Sequence, residues 1–122
     1  MADNREYIIQ VQDHGTVQIS EEVIATIALN TLSENEGFAG LSTKPGTDII
    51  EMLGKKNWGK GIKVTITENN ELHLDCNILV YYGYSVMGVA NNIQDSVASA
   101  LESTTGVKVL GVNVNVCGIV RK

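Results

Sequence analysis

The chain has 122 residues, 43% of them hydrophobic and 19% charged, which fits one soluble globular domain rather than a disordered segment. Its formal net charge of -5 disfavours nucleic acid and anionic lipid as main partners, because an acidic surface repels phosphate groups. Two cysteines are too few for a disulfide scaffold, and the sequence shows neither a secretory signal nor a membrane-spanning run. We therefore expect one cytosolic domain spanning residues 1–122.

The first predicted elements are two short strands, over Tyr7–Val11 and Thr16–Ile19, joined by a turn. Ser20 is the expected N-cap of a helix, since two glutamates and then apolar residues at helical spacing follow it. This pattern fades before Gly37, and a third short strand is predicted over Phe38–Leu41. The amino-terminal part of the chain therefore predicts three strands and one helix.

Residues 42–61 are the irregular part of the sequence, where a single helical turn is predicted around residues 48–53. From Gly54 to Gly61 the chain resembles a phosphate-binding loop. The last position lacks the hydroxyl that holds magnesium, and the loop leads into a strand instead of a helix. We therefore expect no nucleotide at this loop.

The same segment holds the one basic cluster of an acidic chain, beside the only tryptophan, Trp58. Lysines next to an indole can follow a single-stranded nucleic acid whose bases stack on the ring. A solvated loop whose tryptophan folds back onto the sheet is the simpler interpretation, and the acidic chain as a whole favours it. A small RNA-binding module, loosely similar to KH domains and using the loop Lys55–Lys63, is therefore the alternative function.

Alternation of apolar and polar residues from Ile62 onward predicts a β-hairpin with its turn at residues 68–70. The even-numbered residues of its two strands, 62–66 and 72–80, face the core, and Cys76 is among them. The opposite, solvent side of the second strand carries His73, Asp75 and Asn77. One buried and one solvent face are typical of an antiparallel sheet that helices cover on one side.

A second helix is expected between an N-cap at Ser85 and a terminating glycine, Gly106. Its apolar stripe consists of Val86, Val89, Ala90, Ile93, Val97, Ala100 and Leu101. The last strand is predicted over Val107–Val116, with a bulge at Gly111. The whole pattern predicts an α+β fold, a two-layer sandwich of a mainly antiparallel sheet with two helices on one face.

Catalytic and metal-binding constellations are not expected. Glu71, His73 and Asp75 share a strand face at a spacing that can converge on a metal, but a polar solvent face explains them better. Ser20 and Ser85 are interpreted as helix caps rather than nucleophiles, and neither cysteine has a histidine partner in the pattern. We therefore expect no enzymatic activity, no metal and no cofactor.

An apolar and aromatic end on the second hairpin strand is a candidate contact surface. Leu79 and Tyr81 continue the solvent side of this strand, and two further tyrosines follow at its end. The alternative is that the loop of residues 42–61 covers these side chains. The candidate interaction residues are therefore Lys55, Lys56, Trp58, Lys60, Leu79 and Tyr81.

Several short motifs follow one another in order along most of the chain. Residues 15–24 read GTVQISEEVI, residues 54–56 read GKK, residues 60–64 read KGIKV and residues 112–114 read VNV. In this order, with Tyr-Gly at 82–83 and Thr-Gly at 105–106, they resemble the alkaline shock protein family of small cytosolic proteins of Gram-positive bacteria. This family is also called the general-stress or envelope-stress family.

The resemblance implies a non-enzymatic, self-associating protein of cell-envelope homeostasis or the envelope stress response. Some members of the family are held at the membrane by a separate anchoring protein, which implies a cytoplasmic homo-oligomer that reaches the membrane through a partner. Short members are often encoded beside a fatty-acid kinase of the dihydroxyacetone-kinase type. This neighbour implies a link to phospholipid supply and names the fatty-acid kinase machinery as a further candidate partner.

Overall fold

The computed structural model describes residues 7–42 and 61–121, and these contain six strands and two helices. In chain order they are β1 (Tyr7–Gln12), β2 (Gly15–Ser20), α1 (Glu21–Ser33), β3 (Phe38–Leu41), β4 (Ile62–Ile66), β5 (Leu72–Tyr81), α2 (Val86–Thr105) and β6 (Val109–Val120). The predicted α+β class is confirmed. The helical turn predicted around residues 48–53 lies outside the described residues.

Both helices begin and end where the sequence predicts. The Ser20 hydroxyl accepts a hydrogen bond from the Val23 amide at 3.3 Å, and the Ser85 hydroxyl accepts one from Gly88 at 3.0 Å. Each bond satisfies an amide that has no partner within its helix. At the end of α2, Gly106 adopts the left-handed conformation with a φ of 77°.

The hairpin of β1 and β2 is fastened to the turn between β4 and β5. Asn70, which has a φ of 60°, donates from Nδ2 to the Ile9 carbonyl at 2.7 Å and accepts from the Ile9 amide at 3.3 Å. Gln10 adds a bond from Nε2 to the Thr105 carbonyl at 3.1 Å. These contacts bring Ile8 into the core, where it is fully buried.

The four-stranded sheet is organised around β5. On one edge of β5, β4 pairs antiparallel with Leu72–Cys76 and β3 pairs antiparallel with Ile78–Val80. On the other edge β6 runs parallel to β5 over its whole length, because α2 connects the two strands as a crossover. The sheet is therefore mainly antiparallel, as predicted, with one parallel pair.

Helices α1 and α2 both pack on one face of this sheet, which confirms the predicted two-layer arrangement. The five even-numbered residues of β5, from Leu72 to Val80, are all fully buried beneath them. The buried positions of the helices are Ile24, Ala28, Leu32, Val89, Ile93, Val97 and Leu101. Val86 was predicted in this stripe but is exposed, because the part of α2 that lies over the sheet begins with Val89.

Two bulges in β6 explain how it differs from the predicted strand. The bulge predicted at Gly111 is confirmed, since Leu72 pairs with Val109 while His73 pairs with Gly111. A second irregularity lies at Cys117, between the residues opposite Ile78 and Leu79. The extra residue resets the alternation of side chains, so β6 continues to Val120 instead of ending at Val116.

Candidate interaction surface

The candidate loop residues Lys55, Lys56, Trp58 and Lys60 lie outside the described residues, but both ends of their segment are placed. The Ser42 amide donates to the Asn77 carbonyl at 2.8 Å, and the Asn77 amide donates to the Gly61 carbonyl at 2.8 Å. The chain therefore leaves and re-enters the sheet at one residue in the middle of β5. RNA binding through this loop stays a prediction.

Leu79 lies on the outer face of the sheet, which we define as the face opposite the two helices. Glycines flank it in the sheet, with Gly40 of β3 on one side and Gly118 of β6 on the other. A Cβ atom added at Gly118 would lie 3.1 Å from the Leu79 side chain. Leu79 is therefore half-buried, and its side chain uses space that the neighbouring glycine leaves open.

Tyr81, also half-buried, leads from the outer face into a run of exposed side chains. Its amide donates to the Gly37 carbonyl at 2.9 Å. The exposed run that follows, named here the aromatic end, consists of Tyr82, Tyr84, Val86 and Met87. Tyr82 is 68% exposed and Met87 is 67% exposed. The Arg121 guanidinium lies over the Tyr82 ring, 5.1 Å from its centroid, in cation–π geometry.

Two amide rungs connect β5 and β6 on the outer face. Asn113 donates from Nδ2 to Asp75 Oδ1 at 2.8 Å, and Asn115 donates from Nδ2 to Asn77 Oδ1 at 3.0 Å. Asn77 was predicted on the solvent side but is only 2% exposed. The prediction was wrong because strand alternation gives the direction of a side chain and not the neighbours that cover it. The bond from Asn115 satisfies the buried carbonyl.

The predicted absence of a metal site concerned Glu71, His73 and Asp75 in particular. Within residues 7–42 and 61–121, no three His, Cys, Asp or Glu side chains lie close enough to hold a metal ion. Asp75 instead binds the Asn113 amide, and the ring of His73 lies beside Gly111, 3.3 Å from where a Cβ atom of that glycine would be. The outer face in this region is a polar sheet surface.

Residues 9–121 match the model of the alkaline shock protein 23 family, which is described as having a cell envelope-related function. The chain belongs to this family. The match covers most of the chain and confirms the resemblance that the ordered motifs indicate. No solved structure matches the chain.

Relatives of this alkaline shock protein 23 family member occur in Bacillus and Streptococcus. The uncharacterized protein YloU of Bacillus subtilis is 33% identical over 108 residues, which cover 87% of this chain and 89% of the relative. YqhY of the same organism, also uncharacterized, is 32% identical over 105 residues, covering 86% and 77%. The uncharacterized Spy1614 of Streptococcus pyogenes is 32% identical over 107 residues, covering 86% and 88%.

The alkaline shock protein 23 family description places this chain among cell envelope-related proteins, and neither it nor the names of the relatives indicate an enzymatic activity. None of the helices within the described ranges is long and apolar enough to cross a membrane.

The aromatic end of this family member was only partly predicted. The sequence drew attention to the tyrosines, but Val86 was assigned to the core and Met87 was not considered. The sequence did contain a signal for this surface. Met87 is a large apolar residue that lies outside the apolar stripe predicted for α2, which indicates an exposed apolar side chain. The composition of β6 was not considered either, although its twelve residues include no charged residue and no proline.

Cys76 and Cys117 are expected to react very differently with a thiol reagent. Burial in the apolar core, together with the smaller effect of the negative charge of Asp75, raises the pKa of the Cys76 thiol to about 12. Cys117 is half-buried in β6. Since the thiolate is the reactive form, 5,5′-dithiobis(2-nitrobenzoate) at pH 8 should modify one thiol per native chain and two per unfolded chain. Two rapidly modified thiols in the native chain would contradict this.

The same pKa shift predicts a loss of stability at alkaline pH. The pKa of Cys76 in the folded state exceeds its unfolded value of about 8.5. The stabilisation that comes from keeping this thiol protonated is therefore complete below a pH of about 8.5 and is lost as the pH rises toward the folded-state pKa. The free energy of unfolding should fall by up to about 1.4 kcal/mol per pH unit in this range. Cys76→Ala should show a shallower decline in denaturant titrations between pH 8 and pH 11, because other titrating groups are common to both chains.

Proposed function

We propose that the protein is a non-enzymatic cytosolic adaptor or structural protein of the envelope stress response or envelope homeostasis. It acts by associating with itself and by binding a membrane-associated protein. Membership in a cell envelope-related family supports a role at the cell envelope. The surface of the described residues supports protein–protein contact as the mode of action. The partner is a membrane-anchored protein, with the fatty-acid kinase machinery as the second candidate.

The aromatic end is the observation that carries the proposal. Four large apolar residues are exposed within six positions, from the end of β5 into the first turn of α2. Tyrosine and methionine are enriched in protein interfaces, since they bury a large area and adapt to a partner. Leu79 and Tyr81 come directly before this surface on β5, so the predicted contact residues extend it onto the outer face.

The cation–π contact at the aromatic end indicates how a protein partner is recognised there. Arg121 covers one face of the Tyr82 ring and leaves the side chain 68% exposed. An acidic group of the partner can therefore pair with the guanidinium while an apolar group packs on the exposed ring and on Met87. A partner segment with apolar residues beside a carboxylate fits this surface.

Removing the aromatic end should abolish partner binding without unfolding the protein. We expect the double variant Tyr82→Ser/Met87→Ser, immobilised as bait, to lose a membrane-associated protein that the unchanged chain captures from a lysate of the native cell. Both side chains are mostly exposed, so their removal creates no cavity. Quantitative mass spectrometry of the membrane and soluble fractions distinguishes the anchored partner from the kinase.

The matched control removes two exposed apolar side chains elsewhere on the surface. Val11 is 82% exposed on β1 and Val17 is exposed on β2, so Val11→Ser/Val17→Ser lowers the exposed apolar area of the hairpin instead. This variant should capture the partner as the unchanged chain does. Equal capture by all three chains, or capture of no membrane-associated protein and no kinase component by the unchanged chain, would count against the proposal.

A further inference from the structure

Strand β6 forms one edge of the sheet and has the composition of a pairing strand. It contains twelve residues, Val109–Val120, with no charged residue and no proline among them. Natural edge strands are usually short, charged or interrupted by proline, because their free backbone groups otherwise pair with another chain. The two bulges leave a regular stretch from Gly111 to Val116 between them. Within this stretch there is no bulge, no charged residue and no proline.

The hydrogen bonds show which backbone groups of this stretch face away from β5. Gln94 of α2 donates from Nε2 to the Val112 carbonyl at 3.0 Å, at the side of β6 opposite its partner strand. Backbone groups of successive residues alternate between the two edges of a strand, so those of Val114 and Val116 point the same way as those of Val112. Within the described part of the chain, no strand pairs with this edge.

The side chains of the stretch divide cleanly between the two sheet faces. Val114 and Val116 lie on the helix-covered face and are half-buried, because the sheet ends there. Asn113 and Asn115 are exposed on the outer face, where their amides form the two rungs to β5. A strand placed along this edge would therefore complete an apolar row on one face and an amide row on the other.

We propose that β6 pairs antiparallel with β6 of a second copy of this chain, an inference that rests on the self-association in the proposed function. The stretch is self-complementary in one register, with Val114 opposite its own copy and Val112 opposite Val116. In this register the Val116 amide of the second copy uses the second lone pair of the Val112 carbonyl or displaces Gln94 from it. Asn113 then stands opposite Asn115 of the second copy, and vice versa. The two four-stranded sheets join into one continuous sheet around a two-fold axis.

This register extends interactions that already exist in one copy. The rung from Asp75 to Asn113 continues through Asn115 of the second copy to its Asn77, since directly opposed side chains of an antiparallel pair lie in contact. The half-buried valines of both copies cover one another on the helix side. Two chains with a net charge of -5 repel in general, and an uncharged strand is the part of the surface where close approach costs least.

The first test removes the outward-facing amide at the centre of the pairing. The unchanged chain should give a mass near twice 13.2 kDa, or a higher even multiple, by size-exclusion chromatography with light scattering. Val114→Pro should elute with the mass of a single chain at the same concentration. Proline is tolerated on an edge strand when the lost amide faces away from the sheet, so circular dichroism should be unchanged.

A pair of charge variants tests the register and keeps the proposal testable if the proline variant fails to fold. Asn113→Lys/Asn115→Lys places like charges opposite each other and should be monomeric. Asn113→Lys/Asn115→Asp carries charges at the same exposed positions but sets lysine opposite aspartate, and it should retain the dimer. Dimers in both variants, or monomers in both, would overturn the proposed pairing.

The outcomes separate this pairing from the proposed function on which it rests. A monomeric unchanged chain at millimolar concentration would overturn self-association itself and the pairing with it. An oligomeric unchanged chain whose mass is the same in the proline variant and in the like-charged variant would overturn only the pairing through β6. Slow hydrogen exchange at the Val114 and Val116 amides in the oligomer, and fast exchange in the monomeric variants, would support it directly.

Discussion

Ile93→Ala is expected to lower the free energy of unfolding by about 2–5 kcal/mol, a loss typical of deleting a large aliphatic side chain from a packed core. Ile93 is fully buried in α2, among the side chains of the sheet and of α1. A domain of this size has a total stability of roughly 5–15 kcal/mol, so the loss is a large fraction of it. Urea titration followed by circular dichroism measures the change.

Asn92→Ala is the matched control for this substitution. Asn92 precedes Ile93 on the same helix and is exposed, so its replacement should change the free energy of unfolding by less than about 0.5 kcal/mol. The dependence on urea concentration should be equal in all three chains, since the surface exposed on unfolding hardly differs. Similar losses at the two positions would mean that α2 does not cover the sheet with its Ile93 side.

The sequence predicts the helices and the hairpin of β4 and β5 well, because local patterns determine them. Ser20, Ser85 and Gly106 are placed by capping chemistry that involves only a few neighbouring residues. The burial of all five even-numbered residues of β5 follows from strict alternation beneath two helices. In each case the pattern lies within one element, so it can be recognised from the amino-acid sequence alone.

The predictions that were wrong share a different cause, which is contact between elements that are distant in the sequence. Asn77 is buried where Ser42, Gly61 and Asn115 all bond to it, and strand alternation carries no information on these neighbours. The extension of β6 past Val116 depends on a bulge opposite β5, and a bulge reverses the pattern by which a strand is recognised. The prediction that Val86 is buried was wrong because the tertiary fold determines how much of α2 lies over the sheet.

The candidate interaction residues stay a prediction as a site, and the structure describes the positions of only Leu79 and Tyr81 among them. Leu79 was placed on the correct face of β5, but its half-buried state depends on glycines in two other strands, Gly40 and Gly118. The loop residues Lys55, Lys56, Trp58 and Lys60 stay a prediction. Only the attachment of their segment at Asn77 is defined, and that attachment joins the loop to the same strand that leads into the aromatic end.

The two proposed contacts use different parts of the sheet and are compatible. The proposed self-association uses the edge of β6 that faces away from β5, near the middle of the strand, whereas the aromatic end lies where β5 passes into α2. In a two-fold pair centred on Val114, the two aromatic ends lie away from the axis, one in each copy. The proposed dimer would therefore present two copies of the aromatic end, and simultaneous engagement of both by the proposed membrane-associated partner would strengthen binding through effective concentration.

Gly61→Ala is expected to destabilise the protein by about 1.5–3.5 kcal/mol through two additive effects. Gly61 has a φ of 83°, where a side chain costs about 1–2 kcal/mol of backbone strain. An added Cβ atom would also lie 2.8 Å from the Ser42 carbonyl oxygen, so the two ends of the 43–60 segment must separate. Separation weakens one of the two hydrogen bonds that they form with Asn77, at a cost of about 0.5–1.5 kcal/mol.

Gly83→Ala separates the strain from the contact. Gly83 has a φ of 101°, but nothing lies within 4 Å of an added Cβ atom, so only the strain of about 1–2 kcal/mol applies. Urea titration should therefore rank Gly61→Ala as the less stable variant. Faster hydrogen exchange at the Ser42 and Asn77 amides should accompany it and be absent from Gly83→Ala. Equal losses and unchanged exchange would mean that the two ends of the segment do not meet at β5.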